Sequence, residues 1–198
     1  MTPVESKKKL REEIKSIGSG IPQSQRAMES VALCKKIRQQ RDWLYAESVL
    51  MYAPLTGEVD IWPLAQESIF FGRAVFLPRF DAEKGVYQIV QVKDLEKDIK
   101  PGKFGVREPA PEIPRSPRKQ LDLILVPGLG FSMDGGRLGR GGGYYDRLVA
   151  ELDGPACGVA FDWQILEGIP MESQDRYMNL IVTPTLWHAV QGRRGASR

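Results

Sequence analysis

A stretch rich in glycine and arginine, GGRLGRGGGYYDRL at residues 135–148, contains the residue types that bind phosphate. Eight of the 20 glycines in the chain lie between Gly128 and Gly143, and glycines let backbone N–H groups approach an anion closely. A helix that follows such a loop points its free N–H groups and the positive end of its dipole at the anion. Arg137 and Arg140 add paired donors that match phosphate oxygens, so the stretch predicts a phosphate site.

Asp146 lies in the first turn of the helix that this stretch predicts, and a carboxylate beside a bound anion indicates a divalent cation such as Mg²⁺ between them. The glycine spacing matches neither the G-x-G-x-x-G pattern of dinucleotide sites nor the Walker pattern G-x-x-x-x-G-K-[ST]. The alternative interpretation is a flexible loop followed by a helix whose Tyr145, Leu148 and Val149 pack in the core.

The elements that must position this loop alternate between strands and helices. Segments typical of strands cover 48–53, 74–78, 86–92, 121–127, 156–161 and 179–184, and helical patterns cover 5–17, 22–41, 60–71 and 143–152. This alternation predicts an α/β fold: a single layered domain over residues 1–198, with a central, mostly parallel sheet flanked by helices, as in Rossmann-like folds. The strand at 121–127 runs directly into the glycine-rich stretch, and open α/β sheets bind ligands at the carboxyl ends of their strands.

The two N-terminal helices carry apolar residues at helical spacing, which predicts the faces that they bury. The residues expected in the core are Leu10, Ile14, Ile17, Ala27, Val31, Cys34 and Ile37. Cys34 and Cys157 are far apart in apolar surroundings, which predicts two buried, reduced thiols.

The composition limits the class of protein. The net charge is +3, and the excess of Lys and Arg in residues 1–41 is typical of a solvated helix face; no RNP or zinc-finger motif supports nucleic-acid binding. The single histidine, His188, leaves no multi-histidine metal site. No apolar run reaches the roughly 18 residues of a membrane-spanning helix, and the N-terminus is too charged for a signal peptide. We therefore expect a cytoplasmic protein that binds neither membranes nor nucleic acids.

The segment LILVPGLGFSMDGGRLGRGGGYYDRL, residues 123–148, resembles the signature of the 5-formyltetrahydrofolate cyclo-ligase family, also called 5,10-methenyltetrahydrofolate synthetases. Further blocks resemble the family in the same order: KKKLR, GEVDIWPL, VFLPR, FGVREP, GVAFDWQ and IPMESQD. The resemblance implies that 5-formyltetrahydrofolate and ATP react in the presence of Mg²⁺ to give 5,10-methenyltetrahydrofolate, ADP and phosphate. Phosphoryl transfer depends mostly on positioning and charge stabilisation, so it suits a site without histidine.

The resemblance also implies roles for individual residues. The N-terminal helix, within residues 1–20, and the glycine-rich stretch would form the ATP site. Its residues would be Lys7, Lys8, Arg11, Arg137, Leu138, Gly139, Arg140, Gly141, Gly142, Gly143, Tyr144 and Tyr145. The residues assigned to catalysis are Lys7, Arg140 and Asp146. Without the resemblance, the lysines of KKKLR are a solvated face, and their repetition leaves open which of them contacts ATP.

The folate site and the metal site are assigned in the same way. The folate site would consist of Ala53, Glu58, Phe104, Arg140, Gly141, Gly142, Gly143 and Tyr144. The Glu58 carboxylate can accept paired hydrogen bonds from the amino group and ring N–H of a pterin, and the rings of Phe104 and Tyr144 can stack on it or simply fill the core. Asp146 and Asp175 match the Mg²⁺ ligands of the family, although Asp175 alone would be an ordinary surface acid.

Three positions depart from the family pattern: Ser132, Trp163 and Asn179. Two other functions remain open: a nucleotide- or folate-binding module without turnover, and a protein that uses the loop for the phosphate of a sugar or a nucleic acid. We expect a monomer whose residues 192–198 form a flexible tail.

Overall fold

A seven-stranded sheet forms the centre of the fold in the computed structural model, which describes residues 2–102 and 105–192. The strands of the described residues are β1 Ser48–Leu50, β2 Ala74–Asp81, β3 Val86–Val92, β4 Ile99–Pro101, β5 Arg107–Pro109, β6 Leu123–Pro127, β7 Gly130–Ser132, β8 Arg137–Leu138, β9 Ala156–Val159, β10 Ile165–Leu166, β11 Leu180–Val182 and β12 Trp187–Ala189. The helices are α1 Pro3–Ser19, α2 Gln23–Arg38, α3 Arg41–Leu44, α4 Trp62–Phe70 and α5 Tyr144–Ala150.

The strand order of the central sheet is β12-β11-β9-β6-β1-β2-β3. The five inner strands run parallel, and β3 and β12 close the two edges in antiparallel pairs. The prediction of a mostly parallel sheet flanked by helices is therefore confirmed. The chain leaves β1 toward β2 on one side, whereas β6 lies on the other side of β1. The strand order thus reverses between β1 and β6, which is where open α/β sheets form a ligand crevice.

Apolar layers cover both faces of the sheet, because residues along β6 alternate between them. Leu123 and Leu125 pack into the layer that contains the apolar residues of α2 and α4. Ile124 and Val126 pack into the opposite layer, together with Leu148 of α5. The mouth of the crevice is therefore built on a strand that is buried on both faces.

Helix α1 packs against the loop region rather than against the central sheet. Thr2 and Glu5 form a capping box that fixes its first turn, and Ile14 packs against Leu129 and Leu138. Ile17 lies beyond the part of α1 that makes these contacts, and 48% of the residue is exposed. The prediction that Ile17 is buried is therefore wrong.

The buried face of α2 differs from the predicted one. Leu33, Cys34 and Ile37 are buried, but Ala27 and Val31 are exposed. A stripe shifted by one residue also satisfies helical spacing, and contacts with α4 and β1 select it. The two thiols are free and buried as predicted. Among the described residues, no helix has the length and apolar character needed to cross a membrane.

Candidate functional site

A cavity of about 110 Å³ opens at the carboxyl ends of β1 and β6. Ala53 follows β1, Pro127 ends β6 and Gly128 follows it, so the crevice expected from the strand order is present. Its walls include most of the predicted loop residues: Arg137, Gly139, Arg140, Gly142, Gly143, Tyr144 and Tyr145. Glu58 lies in the same wall, so residues assigned to ATP and to folate border one space.

The glycine-rich stretch 135–148 needs glycine for backbone reasons at three positions. Gly135 has φ 92°, Gly141 has φ 109° and Gly143 has φ 63°, in the region that residues with a side chain rarely adopt. Gly143 is also the N-cap residue that directly precedes α5, in the left-handed conformation. A Cβ on Gly142 would collide with the ring of Tyr144, although its φ is not positive. The sequence feature taken for a phosphate site is thus also what permits this chain path.

Arg137 is buried and paired with the predicted metal ligand Asp146. Its Nη2 donates to Asp146 Oδ2 at 2.7 Å, and its Nη1 donates to the carbonyl oxygen of Pro127 at 3.1 Å. Arg137 therefore links the Asp146 side chain of α5 to the last residue of β6. The Nε–H of Arg137 is buried and has no hydrogen-bond partner among the described residues.

Lys7 turns inward from α1, although the sequence placed it in a run that is typically solvated. Only 7% of the residue is exposed, and its Nζ donates to Glu172 Oε2 at 2.8 Å and to Asp175 Oδ2. Asp175 Oδ2 also accepts from the backbone N–H of Glu172 at 2.8 Å. Desolvation alone would lower the pKa of Lys7, but the hydrogen bonds and charges of Asp175 and Glu172 outweigh it, so the net shift of its pKa is upward.

Arg11 lies one helical turn beyond Lys7 and connects α1 to the glycine-rich loop by a hydrogen bond. Its Nε donates to the carbonyl oxygen of Gly139 at 2.8 Å. Lys8, in contrast, is exposed on the outer face of α1, so the structure separates it from Lys7 and Arg11, the other two residues of KKKLR assigned to ATP. Phe104, the remaining residue assigned to folate, lies outside the described residues.

Glu58 and Arg140 form an ion pair across the cavity. Arg140 donates from Nη2 and Nε to Glu58 Oε1 at 3.0 and 3.3 Å. The Glu58 side chain is only 9% exposed, and its other oxygen, Oε2, accepts from the backbone N–H of Leu55 at 3.0 Å. The Arg140 side chain is 48% exposed. The carboxylate is thus fixed by the fold, whereas the arginine faces solvent.

Aromatic rings line the side of the cavity formed by α5 and β3. Tyr144 makes edge contacts with Phe80 and Tyr87, and Tyr145 packs on Tyr87 in a tilted arrangement. Although part of Tyr145 is accessible, burial and then the charge of Glu58 raise its pKa well above the ordinary value. Tyr145 is therefore a neutral hydrogen-bond donor at physiological pH.

Several lining residues were not predicted from the sequence. They are Leu55, Tyr87, Val106, Pro127 and Gly128. These residues share a position in the fold, because each lies in a strand near the crevice or in a loop beside one. That position is the only feature by which they could have been predicted. Glu172 was missed as well, although it stands three residues before Asp175 in the quoted ESQD block.

The two acids predicted to bind Mg²⁺ lie on adjoining segments. Asp146 Oδ1 accepts from the backbone N–H of Arg176 at 3.2 Å, and Arg176 directly follows Asp175. Within residues 2–102 and 105–192, no group of three or more His, Cys, Asp or Glu side chains could hold a metal ion. Two carboxylates nevertheless fit Mg²⁺, which commonly takes one or two carboxylates and completes its shell with water and substrate phosphates.

The three departures from the family pattern have structural contacts. Ser132 donates to Asp134 at 2.6 Å. Trp163 stacks on Phe161. Asn179 Oδ1 accepts from the backbone N–H of Ala156 at 2.8 Å, where β9 and β11 begin. 

Known proteins match this chain along nearly its whole length. Residues 3–184 match the model of the 5-formyltetrahydrofolate cyclo-ligase family. The 5-formyltetrahydrofolate cyclo-ligase of Mycolicibacterium smegmatis is 31% identical over 189 residues, which cover 90% of this chain and 94% of that protein. The enzyme of the same name from Mus musculus is 27% identical over 186 residues, covering 86% and 89%. The NMR structure of Aquifex aeolicus 5,10-methenyltetrahydrofolate synthetase matches with a TM-score of 0.84 and 28% identity, covering 97% of this chain and 96% of that one.

Proposed function

The chain belongs to the 5-formyltetrahydrofolate cyclo-ligase family, and from that membership we propose that it converts 5-formyltetrahydrofolate and ATP into 5,10-methenyltetrahydrofolate, ADP and phosphate. One observation carries the proposal beyond the family match. A single cavity is bordered by the carboxylate of Glu58, which suits a pterin, and by the arginines of the glycine-rich loop, which suit a polyphosphate. The two substrates must meet for this reaction, and this cavity brings their recognition groups together.

The chemistry transfers a phosphoryl group before the ring closes. The formyl oxygen attacks the γ-phosphorus of ATP and ADP leaves. N10 then attacks the activated formyl carbon and loses its proton to the phosphate, which departs as the bond between that carbon and its oxygen breaks. Negative charge shifts onto the phosphoryl oxygens in the first step, where Arg140 would stabilise it. Lys7 and Arg11 would hold the polyphosphate from the side of α1.

The reaction would require Mg²⁺ together with ATP. Asp146 and Asp175 would hold the ion, which would neutralise phosphate charge and orient the γ-phosphoryl group when bound. Arg137 orients Asp146 through their ion pair, and Lys7 does the same for Asp175. Both acids are thus held in place by this chain's own cations before any ligand arrives.

Folate recognition would depend on Glu58 and the aromatic wall. Glu58 is held by the backbone N–H of Leu55, so its second oxygen has a fixed direction. The rings of Tyr87 and Tyr144 offer flat apolar surface for the pterin. The monomeric state and the cytoplasmic location inferred from the sequence remain predictions, as do the single domain and the flexible tail.

The decisive experiment mixes the full-length protein with 5-formyltetrahydrofolate, ATP and Mg²⁺ and follows the near-ultraviolet absorbance of the methenyl product. We expect one phosphate released for each product formed, and no product when either ATP or Mg²⁺ is omitted. The Asp146→Asn variant should lose most of the turnover, whereas Asp153→Asn, a change to an exposed acid, should keep it. Tight binding of both ligands without product would instead support the binding-module interpretation.

A further inference from the structure

The Glu58–Arg140 ion pair joins a residue assigned to folate alone to an arginine assigned to both ATP and folate, which the proposed function uses for the phosphates. Glu58 Oε1 receives both Arg140 hydrogen bonds, while Glu58 Oε2 is already bonded to the backbone of Leu55. The oxygen that a pterin would approach is therefore occupied by a donor from the protein itself. A folate ligand must displace Arg140 before it can use Glu58 fully.

Arg140 lies between the carboxylate of Glu58 on one side and the basic residue Arg11 of α1 on the other. The preceding residue, Gly139, is held by Arg11 of α1 through its carbonyl oxygen, so the loop is anchored on the basic side. The Arg140 side chain points to the acid on the other side. A polyphosphate beside Arg11 would present a stronger anion than one carboxylate, and a half-exposed guanidinium can turn toward it at little cost.

The loop has the freedom for such an exchange. Gly141 and Gly143, which follow Arg140, both have positive φ, so glycine occupies the backbone positions that must adjust. Glu58, in contrast, is nearly buried and bonded to Leu55. Arg140, whose side chain is 48% exposed, is therefore the partner that can turn, and Glu58 is the buried one.

We propose that Arg140 exchanges partners, from Glu58 in the ligand-free protein to the nucleotide phosphates, and thereby couples ATP binding to folate binding. This inference rests on the proposed function. Nucleotide binding removes Arg140 from Glu58 and exposes the carboxylate for the pterin. Because coupling is reciprocal, folate binding releases Arg140 for the phosphates in turn.

The test measures the dissociation constant of 5-formyltetrahydrofolate by calorimetry, with and without a non-hydrolysable ATP analogue and Mg²⁺. We expect the analogue to tighten folate binding about five-fold, at the low end of typical coupling, because the pair is partly exposed. In Arg140→Ala, folate alone should bind about as tightly as it binds to the wild type with nucleotide, and the nucleotide effect should vanish. Arg41→Ala, which removes an exposed arginine at the opposite end of β1, should keep the five-fold effect.

The sign of the Arg140→Ala result separates coupling from simple contact. If Arg140 only contacted folate, its removal would weaken folate binding in both conditions, and that result would overturn the exchange. Equal folate affinities with and without nucleotide in the wild type would overturn it while leaving the proposed function intact. Absence of folate binding under both conditions would overturn both.

A second measurement observes the pair directly. The side-chain Nε–H signal of Arg140 in a ¹⁵N NMR spectrum should shift when the ATP analogue is added without folate. The Nε–H signal of Arg41 should stay in place. An Arg140 signal unchanged by saturating nucleotide would contradict the exchange even if the affinities were coupled by another route.

Discussion

Arg137 Nη2 and Asp146 Oδ2 are 2.7 Å apart, and 5% and 14% of these two side chains are exposed. Removing one member of a buried pair leaves the other charge without compensation. We expect Arg137→Ala to lower the free energy of unfolding by about 3 kcal/mol in a denaturant titration. Arg41→Ala, which removes an exposed arginine, should change the free energy of unfolding by less than about 0.5 kcal/mol. A loss as small as that of the control would mean that Asp146 is solvated.

Lys7 and Lys9 offer a matched pair of lysine truncations on one helix. Lys7 is buried against Glu172 and Asp175, whereas the Lys9 side chain is 66% exposed and lies 3.7 Å from Glu13. Lys7→Ala should raise the KM for ATP at least ten-fold and lower the free energy of unfolding by about 2 kcal/mol, since two acids lose their cation. Lys9→Ala should leave both quantities nearly unchanged. The opposite ranking in steady-state kinetics would assign the nucleotide contact to the outer face of α1.

Glu58→Gln keeps the size of the side chain and removes its charge. Folate affinity should fall by about ten- to one hundred-fold, because hydrogen bonds to a charged acceptor contribute about 1.5–3 kcal/mol. ATP affinity should not fall, and it should rise by up to about five-fold because the variant frees Arg140 for the phosphates. Calorimetry with each ligand separately measures both values. Similar losses for both ligands would make Glu58 a structural residue of the cavity wall.

Gly143 and Gly85 have nearly the same backbone conformation, with φ 63° and 66°. Alanine at either position should lower the free energy of unfolding by about 1 kcal/mol, the cost of the left-handed conformation. Only Gly143→Ala should also weaken ATP binding, because its Cβ would lie 3.2 Å from Arg147 at the start of α5, whereas a Cβ on Gly85 meets nothing within 4 Å. Equal ATP affinities in the two variants would contradict a role of this turn in nucleotide binding.

Stability should decline at alkaline pH. Burial raises the pKa of Cys34 to about 11 and raises the pKa of Tyr52 well above its ordinary value. Between the unfolded and folded pKa values the native state binds more protons, so the free energy of unfolding falls as pH rises. The same direction holds for Lys7, whose raised pKa gives stability that is lost as pH passes through it. Denaturant titrations from pH 8 to about pH 11 should show the decline, and Cys34→Ala should make it shallower. A flat profile would contradict the burial of these groups.

The order of strands and helices could be predicted from the sequence, because the spacing of apolar residues reflects which face of each element is buried. The buried face of α2 could not be predicted as reliably. Cys34 belongs to the predicted stripe with Val31 and to the observed one with Leu33, and only the neighbouring elements decide between them. Short strands such as β8 and β10, of two residues each, carry no periodicity that a sequence pattern could detect.

The site was predicted better in its residue types than in their partners. The loop and its arginines share one cavity with Glu58, but no sequence pattern indicated that Arg137 and Lys7 would be buried. Burial of a charge depends on a compensating charge, and the partners of Lys7 come from a segment near the other end of the chain. Helical spacing describes one element at a time and carries no information on such pairs.

The bonds from Lys7 to Glu172 and Asp175 span 165 and 168 residues of chain. During synthesis, α1 is made before these acids, so its inward lysine has no acid to contact until at least 165 further residues have been added. Central strand β1 lacks its neighbour β6 in the same way, because β6 begins at Leu123, 75 residues after β1 begins at Ser48. The nascent chain must therefore carry an incomplete sheet while these segments are made, and the end of the sheet proposed to bind phosphate is completed late.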